Sequence, residues 1–201
     1  MNMQKKKFFS HPKALVESNA IGSETRIWAF AHILSGAVIG KNCNICDGVF
    51  VEGGAKIGDN VTVKNQCLIW DGVKISDDVF LGPNVVFTND LIPRSLRQKL
   101  TIKRYRTKQW LLKTRVGRGA TLGASVTVVC GVTIGEYSMA GAGSVITRDL
   151  PPHSMAYGVP ARVVGAVCRC GLMLKFTSGK AKCSTCSDSY RKQSGQISRV
   201  E

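Results

Sequence analysis

Taken every six residues from Leu15, the chain places Ile21, Ile27, Ile33, Ile39, Ile45, Val51, Ile57, Val63, Ile69, Ile75, Leu81 and Phe87 in one phase, all apolar. Against 44% hydrophobic residues overall, thirteen successive hits arise by chance on the order of once in ten thousand or less. The residue two before each is small or β-branched, as at Ala31, Ala37, Cys43, Val49, Ala55, Val61, Cys67, Val73, Val79 and Val85. Gly22, Gly40 and Gly58, with Ser76 next, follow the apolar position at every third unit, so a period of eighteen lies over the period of six. Short strands on three faces of an eighteen-residue coil predict an all-β parallel β-helix, its coils stacked at about 4.8 Å.

The row stops after Phe87 and resumes out of phase at Val116, Leu122, Val128, Ile134, Ala140 and Ile146, which implies 23 inserted residues. Long insertions in a regular scaffold usually carry function. Pro151-Pro152 then end the pattern. The predicted organisation is an N-terminal tail at 1–10 and a β-helix at 11–150 with a loop insertion at about 90–115. A connecting segment at 151–167, a cysteine module at 168–186 and a flexible tail at 187–201 complete it.

A formal net charge of +15 points to an anionic partner: nucleic acid, an anionic membrane or a phosphorylated small molecule. Ten cations lie in one stretch without an acidic residue: Arg94, Arg97, Lys99, Lys103, Arg104, Arg106, Lys108, Lys113, Arg115 and Arg118. Clustering in one loop, rather than along a face with stacking aromatics, argues against nucleic acid. Trp110-Leu111-Leu112 is expected to pack this loop back on the coil. The basic N-terminus lacks the apolar core of an export signal, and no stretch has the length of a membrane span. A cytoplasmic chain with reduced thiols is expected.

Cys168-x-Cys170 and, twelve residues later, Cys183-x-x-Cys186 have the spacing of four zinc ligands, suited to a structural Zn²⁺ in a zinc-ribbon-like module. Cys43, Cys46, Cys67 and Cys130 read as ordinary thiols.

The Ile-Gly-x-x-x-x units, Gly-Val-Thr-Ile-Gly at 131–135, Gly-Ala-Gly-Ser-Val-Ile at 141–146 and Gly-Val-Pro-Ala-Arg at 158–162 resemble the hexapeptide-repeat acyltransferases. Trp28-x-Phe30-x-His32-Ile33, Asp71-Gly72-Val73, Gly82-Pro83-Asn84 and Phe87-Thr88-Asn89-Asp90 narrow the resemblance. They are similar to the branch that acylates the amino group of nucleotide-linked 3-amino sugars for bacterial surface glycans. That resemblance implies a left-handed β-helix, a homotrimer with sites between subunits, and acetyl-CoA as co-substrate. It also implies that Asn89 positions the sugar amine, and that the leaving thiolate can take the last proton without a histidine base.

Asp71 and Asn89 are eighteen residues apart and share a corner on adjacent coils. Amide transfer needs an acceptor for the attacking amine and a group to orient it, so Asn89, Asp71 and Asp90 are the catalytic candidates; alternatively, Asn89 merely turns a corner. Asn84, Phe87, Arg94 and His32 are substrate-contact candidates. As a base His32 lies too far away, three coils or roughly 14 Å from Asn89. The resemblance places CoA along Ala124 and Ala142, with Arg148 and Arg162 for its phosphates. O-acetylation, a longer acyl donor, or a non-enzymatic nucleic-acid or glycan-binding role are the competing readings.

Overall fold

The computed structural model describes residues 8–95 and 102–200. Nearly every repeat forms a two-residue strand, and the only helical segments among the described residues are the 3-10 turns Arg104–Arg106 and Lys108–Trp110. The strands fall into three parallel stacks, named here faces A, B and C in the order the chain meets them, starting at Phe9–Ser10, Leu15–Val16 and Ala20–Ile21. Ile27 pairs with Ile45, Ile33 with Val51 and Ile39 with Ile57, each eighteen residues on. The apolar row forms a continuous central column in which Ile27, Ile33, Ile45, Ile69 and Leu81 are fully buried.

The first coil is one residue short. Leu15 pairs with His32 and Val16 with Ile33, so Val16 takes the inner position and Leu15 is 55% exposed. A single-residue slip turns every side chain of a strand to the other face. Phe9–Ser10 already pairs with Arg26–Ile27, so the solenoid starts before residue 11.

Corners are held by side chains of the next coil. Asn42, Asn60 and Asp78 share one corner with positive φ (52°, 57° and 61°), a conformation that Asn and Asp tolerate. Asn42 donates to Asn60 and Asn60 to Asp78, each at 3.0 Å. On the same corner Asp59 and Asp77 accept the backbone N–H groups of Lys41 and Asp59 from the coil before. A Cβ on Gly40 would stand 2.3 Å from the Asp59 carboxylate, which explains the eighteen-residue glycine period.

Val73 pairs with Thr114, forty-one residues on, which is one coil plus the 23 inserted residues. The excursion closes earlier than the charge run suggested: Arg115 lies in strand Thr114–Val116 and Arg118 follows it in the coil.

Beyond Leu150 the structure is more ordered than expected. Ser154–Gly158 and Ala161–Val167, in the supposed connector, extend the sheet of face A, followed by Met173–Leu174. Lys180–Lys182, Ser189–Gln193 and Gln196–Val200 form an antiparallel sheet, so the supposed flexible tail is structured through residue 200. Its polar composition concealed two inward anchors, Tyr190, 1% exposed, and the half-buried Ile197. Ser194 and Gly195, both at positive φ, make the tight turn between the last two strands.

Candidate active site

The outward residues give each face its own chemistry. Face A presents Arg26, Asn44, Thr62, Phe80, Thr121 and Met139. Face B is largely apolar, with Leu15, His32, Phe50, Leu68, Val86, Thr127 and Val145. Face C carries Lys56, Lys74 and Arg115 in register on three successive coils.

Asp71 and Asn89 occupy the corner between faces B and C. The Asn89 amide nitrogen lies 3.5 Å from the Asp71 backbone carbonyl, leaving the amide oxygen as the outward acceptor. The Asp71 carboxylate takes the Lys108 ammonium at 2.5 Å, and its own N–H donates to Glu52 at 2.8 Å. Held in this way, the Asp71 carboxylate is ion-paired rather than free.

Asp90 is committed elsewhere. Its carboxylate accepts the Arg104 guanidinium, the Tyr105 hydroxyl at 2.7 Å and the Ile92 N–H at 2.9 Å. Burial alone would push its carboxyl up, but these donors together hold it below the ordinary Asp range. It is therefore the anchor of the excursion. The loop packs back as expected, Leu111 lying over Gly72, although Trp110 packs on Tyr105 within the loop, at 5.4 Å. Arg94 is exposed beside Asp90, and its side chain reaches the carbonyl of Pro93. Arg97 and Lys99 lie outside the described residues.

Beneath the excursion lies a cavity of 530 Å³ on face C. Its rim carries Lys56, Lys74, Lys108, Lys113 and Arg115 against one carboxylate, Asp71. Like charges stacked about 4.8 Å apart on neighbouring strands repel one another, so this column is an electropositive strip. The reading from sequence missed Lys56 and Lys74, which the eighteen-residue spacing and the 23-residue insertion align with Arg115.

The other candidates divide between regions. Phe87 is fully buried in the central column and contacts no substrate: the same six-residue phase that fixes the core also fixes Phe87. Asn84 sits at the corner between faces A and B, at φ 59° and exposed. It shares that corner with Ala124 and Ala142, where the coils approach so closely that a Cβ on Gly82 or Gly123 would meet the next alanine nitrogen at 2.6 Å. Within one chain these residues are not brought to Asn89.

By register Arg148 lies two coils beyond Asn89 on the Asn89 corner, on the order of 10 Å away. Arg162 is exposed on the extension of face A. His32 projects from face B three coils before Val86, bonded to Glu17 at 2.9 Å. That bond holds the Glu17 carboxyl below its ordinary value. Phe50 and Trp70 continue the aromatic surface from His32 toward Asp71, at ring separations of 5.6 and 5.2 Å.

The four C-terminal cysteines converge, with all sulfurs within 4.8 Å of one another. Cys43, Cys46, Cys67 and Cys130 are buried and scattered through the solenoid, and burial pushes the Cys67 thiol up to about 11. Buried and apart from one another, these four fit the reading of ordinary thiols.

A bacterial transferase hexapeptide model matches residues 20–53 and 54–89, and a succinyl-transferase hexapeptide model matches 113–148. These matches flank the excursion. The chain is 50% identical over 192 residues to the dTDP-3-amino-3,6-dideoxy-α-D-galactopyranose 3-N-acetyltransferase of Aneurinibacillus thermoaerophilus, covering 96% of this chain and 95% of that one. It belongs to the hexapeptide-repeat acyltransferase family. A galactoside acetyltransferase solved with coenzyme A is similar over 59% of each chain, at 31% identity and a TM-score of 0.50. The UDP-N-acetylglucosamine acyltransferase of Campylobacter jejuni, at 16% identity, TM-score 0.52 and coverage of 78% of this chain and 74% of that one, shares the fold. The chain is thus an enzyme of the left-handed β-helix class. No helix among the described residues is long and apolar enough to cross a membrane.

Proposed function

We propose that this enzyme transfers the acetyl group of acetyl-CoA to the 3-amino group of a dTDP- or UDP-linked amino sugar used for bacterial O-antigen or other surface glycans. The observation that carries this reading is the end-to-end 50% identity to an enzyme named for that reaction. In the step, the neutral amine nitrogen forms a bond to the thioester carbonyl carbon and the carbon–sulfur bond breaks. The nitrogen's proton leaves with the CoA thiolate. The outward amide oxygen of Asn89 accepts an N–H of the amine and aims its lone pair, while Asp71, ion-paired to Lys108, orients it. The basic column Lys56, Lys74 and Arg115 receives phosphates, and the exposed Arg94 is a further contact.

The reading includes a cytoplasmic homotrimer. Face B is the apolar face, and it is bounded by both corners of interest: Asn89 on one edge, Asn84, Ala124 and Ala142 on the other. Three copies packed with face B toward a common axis cover that apolar surface. Each Asn89 corner then meets a neighbour's Ala124 and Ala142, so the CoA arm and the sugar amine converge between subunits. CoA phosphates are assigned to Arg148, on the Asn89 side, and to Arg162, on the extension of face A. In the same reading the four converging cysteines hold a structural Zn²⁺.

The test is thiol release from acetyl-CoA over a panel of nucleotide-linked amino sugars. Turnover with a 3-amino sugar is expected. The reading fails if no sugar in the panel, dTDP- or UDP-linked, 3-amino or 4-amino, releases CoA.

A further inference from the structure

Residues 168–200 bury only five residues, Cys168, Leu174, Ala181, Cys183 and Tyr190, in a cluster completed by Ala166 just before them. So few apolar groups cannot offset the ordering of some thirty residues, which costs about 1–2 kcal/mol each for the backbone. Something besides apolar burial fixes this segment.

The cysteines supply it by their placement. Cys168 and Cys170 sit in the turn between strands Ala161–Val167 and Met173–Leu174, at the far end of the face A sheet. Cys183 and Cys186 sit in the turn between Lys180–Lys182 and Ser189–Gln193, in the separate small sheet. One turn from each sheet therefore meets the other. The cross-sheet sulfur pairs Cys168–Cys186 and Cys170–Cys183 are 3.3 and 3.5 Å apart, far longer than a disulfide bond. Four thiolates around a tetrahedral zinc ion stand about 3.8 Å apart, given zinc–sulfur bonds of about 2.3 Å.

Backbone N–H groups of Leu172, of Thr185 and Cys186, and of Asp188 are aimed at the sulfurs of Cys170, Cys183 and Cys186. Such donors fix the orientation of the sulfurs. Arg169, inside the first turn, pairs with Asp188 beside the second at 2.6 Å and brings positive charge next to the four sulfurs. The buried Tyr190 hydroxyl reaches the Cys168 sulfur at 3.1 Å and accepts the Arg169 N–H at 3.0 Å.

We propose that a zinc-class thiophilic divalent cation at Cys168, Cys170, Cys183 and Cys186 is the clamp that fastens the small sheet to the end of the solenoid, and so builds a wall of a second cavity on face C. This rests on the reading of these cysteines as zinc ligands. The clamped sheet carries the turn Ser194–Gly195 over face C. There, Ser194, Gly195, Gln196 and Ile197 line a cavity of 1130 Å³ together with Lys74, Arg115 and Pro151-Pro152. Lys74 and Arg115 also rim the cavity beneath the excursion, so the two cavities adjoin along face C. With all four positions filled by protein the ion is closed to substrate and its role is architectural.

The experiment uses the full chain. Elemental analysis of the purified protein should give about one zinc per chain, and cobalt loaded in its place should show tetrathiolate charge-transfer absorption. The Cys183→Ser/Cys186→Ser double variant should lose the metal, whereas Cys130→Ala, at a buried thiol of the solenoid, should keep it. Amide exchange then reads the clamp. In the metal-free variant residues 180–200 should exchange at least about tenfold faster, while Ile33, Ile45 and Ile69 stay protected. Iron in place of zinc, or no metal in reduced protein, overturns the ligand reading itself. Zinc bound, yet residues 180–200 equally protected without it, overturns the clamp and leaves the ligand reading standing.

Discussion

In the solenoid, each eighteen-residue coil adds the same few buried groups to a column that runs from Ile27 to Ala161, and strand pairing repeats with it. In the C-terminal module the buried cluster is six residues, and two sheets of different origin meet at four sulfurs. The first region is stabilised by nearest-neighbour stacking, which any inward apolar residue can serve. The second depends on particular atoms. Tolerance should differ accordingly: a solenoid coil accepts conservative apolar exchange anywhere along the column, and the module accepts no exchange at its four cysteines.

That contrast can be broken most forcefully in the column. Ile69→Ala empties a fully buried position in mid-solenoid and should cost about 3 kcal/mol, read as a lower urea midpoint of the whole chain. An unchanged midpoint would mean that the coils do not unfold as one unit. Metal removal should act locally instead, exposing residues 180–200 and sparing the coils.

Chemistry at the corner is the next largest effect. Asn89→Ala should lower kcat about a hundredfold with little change in sugar KM, because in the proposed step the amide acts on the attacking nitrogen. Full activity in that variant would remove Asn89 from the step. Lys74→Ala should be milder, raising the KM of a phosphorylated substrate about tenfold. That loss should shrink as salt is added, since exposed charges are screened. Comparing dTDP-sugar and acetyl-CoA as the varied substrate then assigns the basic column to one of them.

Acidification gives the smallest effect. The Asp90 carboxyl lies below its ordinary value in the fold, so its contribution is complete above about pH 4 and is lost as pH falls through the folded value. As pH falls below about 4, residues 102–112 should exchange faster before any coil does. Simultaneous loss of both would show that Asp90 does not separately anchor the excursion.

How far the sequence could be read depended on whether a residue's role follows from its period. Inward positions, the three faces, the 23-residue insertion and the Asp71–Asn89 corner all follow from counting, because the coil length is constant. Counting failed where the constant failed, at the seventeen-residue first coil that turns Leu15 outward. It also corrected a motif: Phe87 looked like part of a substrate cluster, yet its phase requires it to be core. Lys56, Lys74 and Arg115 were countable but went unnoticed, since charge was weighed by segment rather than by column.

The sequence by itself therefore determined a parallel β-helix, its register, its family and the four cysteines that belong together, since each is written in spacing along one dimension. Tertiary structure decided which charges are spent and which are available. Asp90 and Asp71 resemble each other in sequence, but Arg104 and Tyr105 close over the first, while the second stays beside Asn89 with Lys108. It also decided that the last residues form a sheet, because two inward side chains and a sulfur knot do more there than average polarity. Such outcomes depend on where an irregular loop folds back in three dimensions, which no repeat encodes.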